Sequence, residues 1–171
     1  MKKVKKPLPE GVEPVRAYLD IETSFDRRIT IVGVLRPGRD VLQLVGRQVT
    51  PEAILLYLEG VSVIHTYNGD SFDLPRIRDC LGIDLKELFN SEDLMHDCHK
   101  MGLYGGLKKV EVQLAISRKT MGLDGMDAMR LWERYVESDD TAALDTLLLY
   151  NREDVENLVT LRERLSALGR C

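Results

Sequence analysis

The order in which strand and helix patterns follow one another constrains the fold of this chain more than any other sequence feature. Strand patterns are predicted at residues 15–21, 28–35, 40–45 and 61–65, with a short strand or turn near residue 93. Helical patterns are predicted around residues 51–59, 74–81, 95–100, 106–116, 127–137 and 140–168. Strands first and helices later predict a mixed α/β domain. Its central sheet has about five strands, the first three antiparallel, and is flanked by helices.

Composition excludes several classes of protein. The 171 residues are 44% hydrophobic and 30% charged, which is typical of a globular domain and not of a disordered or collagen-like chain. Apolar runs are too short to cross a bilayer, and the lysines at the start are followed by Pro7, Pro9 and Glu10 instead of an apolar signal sequence. The three cysteines lack C-x-x-C spacing, which favours reduced thiols. We therefore expect a cytoplasmic location and no membrane partner.

The chain divides into a tail and one domain. Residues 1–13 combine lysines with prolines and a glycine, which predicts a flexible basic tail, and residues 14–171 contain no repeat or long linker. The net charge of −4 does not exclude a nucleic-acid partner. Four carboxylates at a metal site would carry that charge, and two divalent ions would cancel it.

Asp20 and Glu22 form the sharpest local feature. They lie at the end of the first predicted strand, where side chains two positions apart point to the same face. Two adjacent like charges repel each other, but hard divalent cations such as Mg²⁺ and Mn²⁺ prefer such oxygen ligands. Taken alone, this short pattern also fits a strand that simply ends in solvent.

Two further segments carry acidic residues that could join Asp20 and Glu22 in a metal site. Asp73 lies near a predicted helix start, where aspartate is also a favoured cap, and it follows Asn68 and Phe72 in the segment NGDSFDLP. In the last predicted helix, Tyr150 and Asp154 are four residues apart and therefore share a face. Each segment has an ordinary structural explanation when it is considered by itself.

The three segments together resemble a known family. LDIET, NGDSFDLP and YNREDV, in this order, are similar to the three exonuclease motifs of the DEDD superfamily of 3′–5′ exonucleases, whose fold is ribonuclease H-like. Tyr150 matches the tyrosine subclass, because the histidine subclass would have histidine at the position of Leu149. The downstream stretch resembles the YprB-type branch, and the resemblance spans about residues 15–165.

The resemblance implies a two-metal mechanism. Two Mg²⁺ or Mn²⁺ ions can activate water and stabilise the charge that develops during phosphodiester cleavage. By similarity, Asp20, Glu22 and Asp154 would hold the ion that binds the attacking water, and Asp20 and Asp73 would support the second ion. Tyr150 would orient the water and not act as a base, because an unperturbed phenol titrates near pH ~10.

The resemblance also implies a substrate and its contacts. The expected activity is exonucleolytic cleavage of single-stranded DNA or RNA from a 3′ end, releasing nucleoside monophosphates. Asn68, Phe72, Thr23 and Lys108 are the expected substrate contacts. A structure-specific endonuclease and a non-catalytic module for nucleic-acid binding or partner docking are the alternatives. All five expected catalytic residues are present, which argues against the module. The sequence leaves open whether a helicase or polymerase is a partner.

Other polar clusters have weaker interpretations. His96, Cys98 and His99 lack a second ligand pair at zinc spacing, so core or solvent-facing histidines are favoured over a structural zinc site. Lys109, Arg118 and Lys119, like Lys108, could contact a phosphate backbone or could lie on a solvated helix face. Tyr104-Gly105-Gly106 is predicted to be a loop at the edge of the cleft.

Overall fold

Five strands form one mixed sheet in the computed structural model, which describes residue 11 and residues 13–169. The strands are β1 (Arg16–Thr23), β2 (Ile29–Leu35), β3 (Leu42–Val45), β4 (Val63–Thr66) and β5 (Asn90–Asp93). Their order across the sheet is β3-β2-β1-β4-β5. β1, β2 and β3 pair antiparallel, whereas β4 and β5 join in parallel, which confirms the predicted sheet. Apart from Gly11 and Glu13, the predicted tail lies outside the described residues.

Seven α-helices accompany the sheet in the part of the chain that the structure describes. They are α1 (Pro51–Tyr57), α2 (Asp73–Leu81), α3 (Leu85–Leu88), α4 (Leu94–Lys100), α5 (Leu107–Gln113), α6 (Gly125–Ser138) and α7 (Thr141–Leu168). Thr50 caps α1 as predicted, since its hydroxyl accepts a hydrogen bond from the Ala53 N–H. α3 was not predicted. α5 ends earlier than predicted, and Ala115 beyond it has a φ of 51° that no helix accommodates. Of the helices described, none is long and apolar enough to cross a membrane.

Both faces of the sheet are covered, and the alternation along β1 decides which side chains meet which helices. Ala17, Leu19 and Ile21 face a core formed with α1, α2 and α3. Tyr18 faces the opposite core, to which α4, α5 and α7 contribute. Because the period of a strand is two, Asp20 and Glu22 follow Tyr18 onto the face that α7 covers.

Candidate functional site

Three carboxylates from two distant parts of the chain converge beneath α7. Asp20 and Glu22 on β1 and Asp154 in the middle of α7 each offer an oxygen atom, and these atoms lie within 4.8 Å of one another. Glu22 and Asp154 are buried, and Asp20 is half-buried. The strand period places the first two on one face. The apolar residues of α7, such as Leu147 and Leu158, hold the helix on that face of the sheet.

Asp73, the first residue of α2, lines the same cavity and contacts the backbone of β1. It is buried at the start of α2, and its Oδ1 accepts a hydrogen bond of 3.1 Å from the backbone N–H of Ile21. The helix has Phe72 at its N-cap and no side-chain capping bond, so capping does not account for Asp73. Asp20, Glu22, Asp73 and Asp154 all line one cavity of about 230 Å³.

Burial and, after it, the neighbouring carboxylates raise the pKa values of Asp20, Glu22 and Asp73. Burial, followed by the charge of Asp154, raises the pKa of Glu22 from 4.5 to about 8. Burial likewise raises the pKa of Asp73 from 3.8 to about 7, and it raises that of Asp20 well above its usual range. The negative charges are therefore costly to hold together, and protons or cations relieve that cost.

The donor set fits a divalent cation. All of the converging ligands are carboxylate oxygens, which Mg²⁺ and Mn²⁺ favour. Among the described residues, the buried Oε1 of Glu22 has no hydrogen-bond partner, so it is open to a metal ion. The residues present therefore fit the cofactor expected from the sequence.

We expect the metal-free protein to become less stable as the pH rises from 6.5 to 8. Glu22 and Asp73 retain protons in the folded protein that the unfolded chain has already released, so the free energy of unfolding falls as the pH rises. His65 contributes little in this window, because burial lowers its pKa to about 4 and the unfolded imidazole is mostly neutral above 6.5.

Urea denaturation in EDTA at several pH values measures this slope, and Glu22→Gln is the matched variant. The substitution should flatten the slope because it removes a titrating carboxyl group. A free energy of unfolding that stays constant or increases across the window in the wild-type protein would contradict the expectation.

Tyr150 and Lys108 complete the wall of the cavity. Burial raises the pKa of Tyr150 to about 12, so its hydroxyl stays protonated. Lys108, in the first turn of α5, donates from Nζ to both carboxylate oxygens of Asp154, at 2.8 and 2.6 Å. Its ammonium lies 4.2 Å from the centroid of the Tyr150 ring. Burial alone would lower the pKa of Lys108, but Asp154 and Tyr150 outweigh burial and raise it, so this side chain remains a cation.

Arg118 is a site residue that sequence reasoning misplaced. Its side chain is only 5% exposed, and its guanidinium donates to Asp154 and, at 3.2 Å, to Glu111. It is therefore neither on a solvated helix face nor open to a phosphate backbone. α5 ends at Gln113, and the loop that follows turns Arg118 inward. A single arginine in a polar loop gives no local signal of such burial.

Asn151 is a second residue whose role the sequence did not reveal. Its Nδ2 donates to Oδ2 of Asp20 at 2.9 Å, and its Oδ1 accepts from Nε2 of Gln43 at 3.0 Å. Gly33 pairs with Asp20 across the sheet, and a Cβ there would lie 2.3 Å from Oδ1 of Asn151. Glycine is therefore required at position 33 for α7 to pack this closely on β2. Asn151 precedes Asp154 by three residues, and this helical spacing was the available signal.

The structure brings the predicted substrate contacts together. Thr23, Asn68, Phe72 and Lys108 all line the cavity of about 230 Å³. The ring of Phe72 is exposed. Asn68 has a φ of 59°, and its backbone N–H donates to Asp93 at 2.8 Å, which holds the turn in place. The contacts of these residues with a nucleotide stay predictions.

The remaining polar clusters do not form a comparable site. Cys98 is buried, whereas His96 and His99 are exposed, so the three do not converge. Asp70 and Asp93 approach His96, but Asp70 pairs with Lys86 at 2.8 Å and Asp93 accepts backbone hydrogen bonds. Neither carboxylate has a buried oxygen without a partner, whereas Oε1 of Glu22 in the other cluster has none among the described residues.

Comparison with known proteins places the chain in a family. The family model RNase_H_2, described as the RNase_H superfamily, matches residues 17–166. The chain therefore belongs to the RNase H superfamily, and the predicted ribonuclease H-like fold is confirmed. No curated protein matches the sequence.

A solved structure shows the same fold at low identity. The family B DNA polymerase from the hyperthermophilic archaeon Pyrobaculum calidifontis matches with a TM-score of 0.70 and 18% identity. The match covers 94% of this chain but only 25% of the polymerase chain. Family membership supports nuclease activity, whereas the DEDD tyrosine subclass and the YprB-type branch remain predictions.

Proposed function

We propose that this chain is a metal-dependent 3′–5′ exonuclease that hydrolyses phosphodiester bonds at single-stranded ends and releases nucleoside monophosphates. The convergence of Asp20, Glu22 and Asp154 within 4.8 Å, with Asp73 lining the same cavity, carries the proposal. The order of the three motifs supports the 3′–5′ direction, and membership of the RNase H superfamily supports a nucleic-acid substrate.

Two divalent ions would be held by the four acids of the cavity. Asp20, Glu22 and Asp154 would ligate one ion, and Asp20 and Asp73 would support the other. When bound, Mg²⁺ or Mn²⁺ would make a water molecule more acidic and would neutralise the charge that develops on the phosphate. Asn151 fixes the orientation of Asp20 through a hydrogen bond of 2.9 Å, as residues behind metal ligands commonly do.

The remaining side chains act on the water and on the nucleotide. Tyr150 keeps its proton, because its pKa is raised to about 12, and its hydroxyl would hold the attacking water by a hydrogen bond. Lys108 would place a positive charge beside the scissile phosphate. Thr23 and Asn68 would position the terminal nucleotide, and the exposed ring of Phe72 offers a stacking face that tolerates any base.

A cleavage assay on matched DNA and RNA strands tests the proposal. With Mg²⁺ or Mn²⁺, a 5′-labelled single strand should shorten stepwise from its 3′ end, and EDTA should leave it intact. A circular single strand should survive, because it has no end. Internal cuts in the circle would favour the endonuclease instead. Binding without cleavage in either metal would favour the non-catalytic module.

A further inference from the structure

We propose that His99 and Tyr104 form an aromatic platform that stacks a nucleobase of the substrate strand beside the carboxylate site. This inference rests on the proposed function and deepens it, because it places a base on the 5′ side of the scissile phosphate. Neither residue belongs to the motifs that resemble the exonuclease family. The platform lies where α4 ends and the loop to α5 begins.

The two rings are paired and accessible. Their centroids are 5.2 Å apart with an interplanar angle of 33°. Tyr104 is 64% exposed, and His99 is also exposed, so much of the ring surface is open to a ligand. A large aromatic side chain held against a second ring in solvent presents a flat apolar face, which is what a stacking base requires.

The loop that carries Tyr104 is held by specific contacts. The Tyr67 hydroxyl donates to the carbonyl of Gly105 at 2.5 Å, and Nε2 of Gln113 donates to the carbonyl of Tyr104 at 3.2 Å. Gly105 has a φ of 122°, and a Cβ there would lie 2.9 Å from Cδ of Lys109. The platform is therefore preorganised, which reduces the entropic cost of binding.

The platform adjoins a cavity that opens onto the carboxylates. His99, Gly105 and Gly106 line a cavity of about 500 Å³ that also includes Asp20 and Asp154. Asp20 and Asp154 also line the cavity of about 230 Å³ that contains Phe72, so the two cavities meet at the carboxylates.

The positions of the two cavities indicate which base would stack on Phe72 and which would stack on His99 and Tyr104. A phosphate held at the carboxylates has a nucleotide on either side along the strand. If the terminal base stacks on Phe72, the base on the 5′ side lies towards His99 and Tyr104. Lys108 lines the same cavity as His99, and the side chain of Lys109 lies beside Gly105, so the cavity also has the basic residues that single-strand-binding grooves use.

Binding of a fluorescent single strand in EDTA measures the platform without cleavage. The double variant His99→Ala/Tyr104→Ala should bind roughly 5- to 150-fold more weakly, the range for losing one stacked base. Tyr104→Phe keeps the ring and should bind like the wild-type protein. Val112→Ala removes an exposed apolar side chain from α5 and serves as the matched control. Melting temperatures should be unchanged, because the substituted side chains are exposed.

Strands with a single abasic nucleotide, in DNA and RNA series, give the decisive test. The wild-type protein should lose affinity when the missing base lies just 5′ of the scissile phosphate. The double variant should show no such loss at that position. Equal affinity of the double variant and the wild-type protein, or a penalty that persists in the double variant, would overturn the platform.

The two proposals can fail separately in these experiments. If the wild-type protein cleaves but its affinity does not depend on the position of the abasic nucleotide, the platform is overturned and the exonuclease proposal stands. A position-specific abasic penalty without cleavage in either metal would support the platform and overturn the exonuclease proposal.

Discussion

Replacing Asp20 with asparagine should reduce cleavage at least about a hundred-fold, which is the effect of removing one preorganised electrostatic group from an active site. Under the proposed function, Asp20 is the acid that would help to hold both metal ions. The amide group introduced by Asp20→Asn has one neutral oxygen in place of a charged carboxylate, so it cannot balance two divalent cations. Asp154→Asn should have a comparable effect on cleavage.

The same substitution should leave the metal-free protein at least as stable as the wild type. Burial and the charges of Asp154 and Glu22 raise the pKa of Asp20, so an ionised carboxylate at this position opposes folding. The amide oxygen introduced by Asp20→Asn can still accept the hydrogen bond from Asn151. Loss of activity with gain of stability is typical of functional carboxylates held together against their repulsion.

Three measurements separate these effects. Cleavage is followed at saturating Mn²⁺, metal affinity by calorimetric titration, and stability by urea denaturation in EDTA. Asp79→Asn is the control, because its side chain is 58% exposed and lies outside the cavity. Full activity of Asp20→Asn would contradict the metal-ligand role. A marked loss of stability in EDTA would indicate that Asp20 serves the fold instead.

Periodicity predicted the strands, the helices and the faces they present, whereas the ribonuclease H-like fold was implied by the resemblance of the three motifs. Alternation in β1 placed Asp20 and Glu22 on one face, and the spacing of Tyr150 and Asp154 placed both on the inner face of α7. These regularities are local, since they depend on strand and helix geometry and not on distant contacts. The antiparallel opening of the sheet was predictable for the same reason, because short turns join its first strands.

The parts of the site that could not be predicted depend on tertiary contacts. Arg118 reaches Asp154 across 36 positions of sequence, from a loop whose direction is set only when α5 packs on α7. Gly33 admits Asn151 only because β2 lies directly beneath α7. The local sequence around Arg118 does not specify Asp154 as its partner, and that around Gly33 does not specify Asn151. The ion pairs behind the site therefore emerged only from the structure.

Replacing Arg118 with methionine should destabilise the protein by about 3–5 kcal/mol, the usual cost of removing one partner from a buried ion pair. Methionine retains much of the apolar volume but leaves the carboxylates of Glu111 and Asp154 without the guanidinium. Asn157 still donates to Glu111 at 2.9 Å, and Lys108 still donates to Asp154. Those bonds do not replace the lost charge.

The matched control for Arg118→Met is Arg134→Met, which breaks the ion pair with Asp140. The Arg134 side chain is 63% exposed, so solvent screens that pair and its loss should have a much smaller effect. Urea denaturation compares the two variants, and equal losses would show that burial does not strengthen the Arg118 cluster.

Adding Glu111→Gln to Arg118→Met tests the cause of the destabilisation. The amide that replaces Glu111 carries no charge and can still accept the hydrogen bond from Asn157. If an uncompensated charge is the source of the loss, the double variant should be more stable than Arg118→Met alone. A strictly additive loss would instead attribute the role of Arg118 to packing.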